Sequence, residues 1–164
     1  MLRVTLNVDG EKQFDRGFSR FTHHIEDLRY IWKDVQKDFY EIEQKQFQSQ
    51  GAHSNTWQPL SKKYGEWKAR KHPGKQILEL SGTLWKSLTS AGANGAIFDS
   101  QPDSMAVGTS IKYAQYHQRG TRKMPKRKPI DLVESDKRQI GRTIHRRLVG
   151  VAREDGFQVQ GGAI

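Results

Sequence analysis

The residues in this chain that could do chemistry are six histidines and a few neighbouring carboxylates. A zinc or iron site needs three or four nitrogen, sulfur or oxygen ligands at spacings that let them converge. Here the histidines are scattered and there is no cysteine to support them, and His23 and His24 are adjacent, which on a helix points them to different faces. No metal and no cofactor is expected. His117, between Tyr113 and Arg119, could serve as a general base only if the fold brings a carboxylate to it. A histidine bonded to a neighbouring loop is the plainer reading. Glu26-Asp27 and the pair Glu41 and Glu43 lie on or beside the polar side of a helical stretch, where solvation accounts for them. Gly92, Gly95, Gly108 and Gly120 form no phosphate-binding loop followed by Lys-Ser/Thr, and no Gly-x-Ser-x-Gly elbow occurs. The expectation is a protein that is not an enzyme; a cell-wall hydrolase would need His117 or a carboxylate, and no motif supports one.

Charge is the stronger signal. The 164 residues carry a net charge of +10, segregated along the chain. Residues 1–60 hold 8 Lys/Arg against 9 Asp/Glu, whereas residues 61–164 hold 20 against 9. The segment from Arg119 to Lys128, with Arg122, Lys123, Lys126 and Arg127 inside it, joins an arginine face further on that includes Arg142 and Arg146. These residues are read as facing DNA or an acidic protein partner. Phosphate contact through Lys and Arg is independent of sequence, and no helix-turn-helix or zinc-finger pattern argues for base readout.

These groups need elements to hold them. Leu2, Val4, Leu6 and Val8 alternate with polar residues, the period of a strand with one buried face, and Asp9 can cap the helix after it. Phe14, Phe18, Phe21, Ile25, Leu28, Trp32, Val35, Phe39 and Ile42 then recur at gaps of four and three, which predicts one amphipathic helix from about residue 11 to 48. At 1.5 Å per residue it would be roughly 55 Å long. Such a helix either lies over its own sheet or packs between subunits, and both readings stay open. A short basic, aromatic helix ends before Pro73-Gly74; Ile77, Leu80, Leu84 and Leu88 have helical spacing interrupted by Gly82. Segments 96–98 and 105–107 flank Gln101-Pro102-Asp103-Ser104 and read as a hairpin with a four-residue connection, within a sheet of three or more strands. Tyr113 to Gln118 reads as a helical turn. Asp131 and Glu134 resemble a cap for a final helix with apolar Val133, Ile140, Ile144, Leu148 and Val151. The expected organisation is one α+β domain over residues 1–155, with a small antiparallel sheet, a long N-terminal helix, short middle helices and a basic C-terminal helix, then a flexible tail over 156–164. The hydrophobic fraction of 34% implies a modest core and makes oligomerisation a fair expectation. Lack of cysteine and of any long apolar run points to a soluble protein of a reducing compartment, with no membrane partner.

Between Trp57 and Arg127 the chain resembles the phage virion morphogenesis family, the tail-completion proteins of Mu-like and P2-like phages. The resemblance is carried in order by Trp57-Gln-Pro-Leu-Ser61, Tyr64, Trp67-Lys-Ala-Arg70, Ile77-Leu78, Leu80-Ser81-Gly82, Leu84 and Ser87-Leu88. It continues through Val107-Gly108-Thr109, Tyr113-Ala114, His117-Gln118, Gly120-Thr121, Met124-Pro125 and Arg127. After Arg127 it departs: Lys128-Pro129-Ile130-Asp131-Leu132 stands where relatives continue into an apolar stretch that contains aromatics. The resemblance implies an α+β subunit of a homo-oligomeric ring, a hexamer, at the top of the tail or in the neck. Tail-tube or head-connector proteins would be its partners and DNA would pass through it. It would reside in the virion, after assembly in the host cytoplasm. Subunit contacts would then fall to Phe21, Leu28 and Trp32 on the apolar stripe and to Tyr113, His117, Gly120, Thr121 and Met124. Arg122, Lys123, Lys126, Arg127, Lys128, Arg142 and Arg146 would face DNA or an acidic partner. The competing class is a non-specific nucleic-acid-binding protein that uses the basic half alone.

Overall fold

The computed structural model describes residues 11–158. The predicted strand over residues 2–8 and its Asp9 cap lie outside them. The elements run α1 (Glu11–Glu26), α2 (Arg29–Gln48), α3 (Lys62–Lys71), α4 (Thr83–Thr89), β1 (Ala96–Ser100), β2 (Met105–Thr109), α5 (Ala114–Arg119) and α6 (Glu134–Glu154). This is an α+β fold, and the hairpin and the final helix stand where the sequence predicts them. Among the described residues the sheet has two antiparallel strands, with Phe98 opposite Val107, and not three or more.

The long predicted helix is two helices. Its periodicity runs unbroken through Leu28, but the backbone does not. The Leu28 N–H donates to the Pro102 carbonyl at 2.7 Å in the hairpin turn, so it is not available to a continuous helix. Asp27 accepts the Arg29 N–H at 3.1 Å and the Arg29 guanidinium at 2.8 Å, and so takes up an amide freed by the break. That guanidinium holds the Asp27 carboxyl down at about 2.

α2 is the centre of the molecule, and its stripe is buried on two sides. Ile31, Trp32 and Val35 pack with Ile140, Ile144 and Leu148 of α6. Phe39, Tyr40 and Phe47 pack with Trp57, Leu84, Leu88 and Ala114, which ties α2 to α4, the hairpin and α5. Full burial of an apolar side chain contributes roughly 1.5–3 kcal/mol, and Ile31, Ile42, Leu84 and Leu88 are each fully buried. Polar pairs close the α2–α6 seam: Arg147 bonds Asp34 at 2.5 Å, Gln139 bonds Asp38 at 3.0 Å, and His53 bonds Asp136 at 2.9 Å. Asp136, and not the predicted Asp131 and Glu134, caps α6, since its carboxylate accepts the Val133 N–H at 3.0 Å. Glu134 pairs with Lys137 at 2.6 Å instead.

α4 begins at Thr83, one residue after Gly82 at φ 81°, so Ile77 and Leu80 precede it in irregular chain despite their spacing. α3 ends at Lys71 ahead of Pro73, as proline chemistry requires. At the other end of the molecule, Phe157 packs its ring against Phe14 and Phe21 at centroid distances of 6.1 and 5.5 Å.

Candidate functional site

The pieces of sequence that carry the family resemblance are far apart in the chain and meet in space. Trp57 is buried, T-stacked on Phe47 at 5.4 Å, and donates its indole N–H to the Lys128 carbonyl at 2.9 Å. Gln46 reaches the same carbonyl at 3.2 Å. Arg127 extends its guanidinium to the carbonyls of Gln58 and Pro59 at 2.6 and 2.8 Å, so the Trp57-to-Ser61 segment and the basic loop are locked together. Gln118 brackets Ile130, donating to its carbonyl at 2.7 Å and accepting its N–H at 3.3 Å, while Pro129 is fully buried. The departure from the family pattern at 128–132 is therefore packed into the body of the protein. Gly120, at φ 76°, lets the loop turn where a Cβ would sit 3.0 Å from the Lys126 nitrogen.

These contacts frame an open groove of about 530 Å³. Leu60 and Tyr64 stand on one side, Ile77, Leu78 and Leu80 along another, and Tyr113, His117, Met124 and Pro125 opposite. Apart from Glu79 and Lys123, the residues lining it belong to the pieces that carry the resemblance. The side chains are mainly apolar or aromatic, but buried cations stand among them. Lys68 is almost wholly buried, donates to the Gln76 carbonyl, and has its pKa lowered by that burial. Arg127 is likewise buried, and its pKa is lowered for the same reason. Burial first, and the Arg127 charge second, push His117 downward, which favours a neutral ring; its Nδ1 is buried without a hydrogen-bond partner. The ring is T-stacked on Tyr113 at 6.1 Å. No carboxylate bonds the ring, so no acid–base pair is built there. Among the described residues no group of three or more His, Cys, Asp or Glu could hold a metal ion, and no helix is long and apolar enough to cross a membrane.

The model of the phage virion morphogenesis family matches residues 9–163, nearly the whole chain. The chain belongs to that family. No curated protein and no solved structure matches it. Membership extends the resemblance seen over residues 57–127 across α1, α2 and α6, and makes the chain a bacteriophage virion assembly protein.

Within this family member several predicted site residues stand elsewhere than expected. Trp32 is buried between α2 and α6 and donates its indole N–H to the Gln101 carbonyl at 2.8 Å, so it holds the chain's own hairpin turn. Leu28 is half-buried in the same cluster for the same reason. Phe21 is half-covered by Phe157. Arg127, expected to face DNA or an acidic partner, is buried, and its guanidinium bonds two backbone carbonyls of its own chain. Lys128 is half-buried with its ammonium on Asp131 at 2.7 Å. Arg122, Lys123, Lys126, Arg142 and Arg146 are exposed, and Thr121 is exposed on a tight turn closed by its N–H on the Met124 carbonyl at 2.8 Å. Tyr113, His117 and Met124 line the groove, and Gly120 supports its loop. Tyr64, Lys68, Leu80 and Pro125 belong to the same groove but were not among the predicted site residues. Their signal was present in the ordered motif pieces; what periodicity could not supply was that those pieces share one concavity.

Proposed function

We propose that this protein is a ring-forming structural subunit at the neck or the head-proximal end of the phage tail, where it completes the tail and joins it to the head. The groove carries the reading. The residues that mark the family build an apolar surface concavity in which no acid–base pair or metal site is present among the described residues, and such a surface is suited to holding another protein. A structural subunit needs no turnover, and a ring needs a surface that its neighbour can fill. The exposed cations Arg122, Lys126, Arg142 and Arg146 add positive charge of the kind that lets DNA slide past without being read. Electron microscopy of lysates from the phage with this gene deleted tests the role. Filled heads beside detached, abnormally long or unfinished tails are expected, and normal infectious particles would overturn it.

The alternative, a free-standing nucleic-acid-binding protein, draws on the same exposed cations. It predicts salt-dependent DNA binding by a protein that does not assemble.

A further inference from the structure

Two apolar surfaces of this chain are largely exposed, and the charges along their borders are opposite. The first is on α1. Phe14, Phe18 and Ile25 are 61%, 55% and 46% exposed. At 100° per residue they fall within about 40° of one another around the helix, a single apolar stripe three turns long. One flank of that stripe faces the chain's own body: Gly17 lies against the Asp155 carbonyl, and Arg20 reaches the Asp155 carboxylate at 3.4 Å. The outer flank carries Asp15 and Glu26, both exposed, which lie eleven residues apart and so within about 20° of each other. The stripe is thus apolar with an acidic outer border.

The second surface is the groove. Its walls are apolar and aromatic, its cations Lys68 and Arg127 are buried in those walls, and Lys123 stands exposed at its edge beside Arg122 and Lys126. Among the described residues its one acid, Glu79, is engaged by Lys75 at 3.6 Å. The groove is apolar with a basic border. An amphipathic helix laid in an apolar groove, with anchors on successive turns, is a recurring mode of protein recognition.

α1 packs on α6, whereas α3, α4, α5 and the chain between them build the groove, so the two surfaces share no element. Contact between copies through them is head to tail, the kind that closes into a ring when the rotation between neighbours is a whole fraction of a turn. We infer that α1 of one copy lies in the groove of the next, with Phe14, Phe18 and Ile25 against the apolar walls and Asp15 and Glu26 toward Lys123 and its basic neighbours. The inference rests on the ring reading and names the contact that would build the ring.

A head-to-tail contact has a distinctive test. Phe18→Asp spoils the arm and leaves the groove intact; Leu80→Asp spoils the groove and leaves the arm intact. Both positions are exposed, and circular dichroism and melting should match the wild type. Light scattering on size-exclusion fractions of the full chain should show the wild type assembled. Each variant alone should be monomeric, with association roughly 100-fold weaker, the scale of burying one unpaired charge. An equimolar mixture of the two should give a 1:1 dimer that grows no further, since one intact arm meets one intact groove. Lys123→Glu should weaken assembly, and adding Asp15→Lys to it should restore assembly, which gives an independent reading should Leu80→Asp misfold. If the wild type assembles and either Asp variant does so equally well, or the mixture stays monomeric, the interface lies elsewhere while the ring survives. A wild type that is monomeric at every concentration overturns both.

Discussion

Glu43 sits in the α2–α6 region with no exposure to solvent, and neither carboxyl oxygen has a hydrogen-bond partner. Burial, reinforced by the negative charges of Asp136 and Asp131, raises its pKa to about 9 from the ordinary 4.5. The folded protein therefore keeps this proton up to about pH 9, whereas the unfolded chain releases it near 4.5. Between those limits the unfolded chain binds fewer protons, so Glu43 makes stability fall as pH rises. At 1.36 kcal/mol per pH unit the cost is near zero below pH 4.5, about 3 kcal/mol at pH 7 and about 5 kcal/mol at pH 8.5. Glu43→Gln keeps the shape and cannot ionise, so the variant should gain on the wild type by those amounts. For a chain of this length, where each kcal/mol moves Tm by about 2–4 °C, the gain at pH 7 is roughly 6–12 °C. Melting or urea titration of both proteins at pH 5, 7 and 8.5 measures the difference directly, and groups common to both, such as the His53–Asp136 pair, cancel. A Glu43→Gln advantage that does not widen between pH 5 and 8.5 would refute the claim that the carboxyl is held protonated.

Three further outcomes are expected from the packing. Arg127→Ala should cost roughly 2–4 kcal/mol, because it removes a buried side chain, strips two part-buried carbonyls of their donor and opens a void, and Arg127→Lys should rescue only part of this, since an ammonium cannot reproduce the fork; urea unfolding measures both, and a neutral Ala variant would contradict the inward-facing side chain. Gly51→Ala should cost at least about 2 kcal/mol, since the residue has φ 85° and the new Cβ would stand 2.4 Å from the Trp57 ring; an unchanged Tm and unchanged Trp57 fluorescence would show the turn to be laxer than this. Reversal of the exposed cations Arg122, Lys126, Arg142 and Arg146 to Glu should leave stability within about 1 kcal/mol of wild type yet lower the salt-dependent affinity for duplex DNA by at least roughly tenfold; a salt titration of DNA binding with an unchanged slope would remove these residues from any DNA path.

Much of this protein was readable before folding, and the reasons are local. The hairpin at 96–109 announced itself through a proline turn between two apolar runs, α3 through the proline that stops it, and α6 through an apolar face set against arginines. Family membership was legible in short pieces whose order is improbable by chance. Charge segregation was legible too, because it is a property of composition. Each of these depends on residues near one another in the chain.

The rest depended on partners far away. A stripe that keeps perfect period across Leu28 cannot reveal that the Leu28 amide is claimed by Pro102, more than seventy residues on, and so cannot reveal that one helix is two. The basic run from Arg119 to Lys128 offers six similar cations, and nothing local marks Arg127 as the one turned inward; the carbonyls of Gln58 and Pro59 decide that. Glu43 reads as one of several acids beside a polar helix face until α6 closes over it and the loss of water raises its pKa. The groove is the clearest case. Its walls come from four separate stretches of chain, each unremarkable in isolation, and hydrophobic burial of α2 beneath them is what draws them to one place while α1 is left with its apolar stripe largely in water.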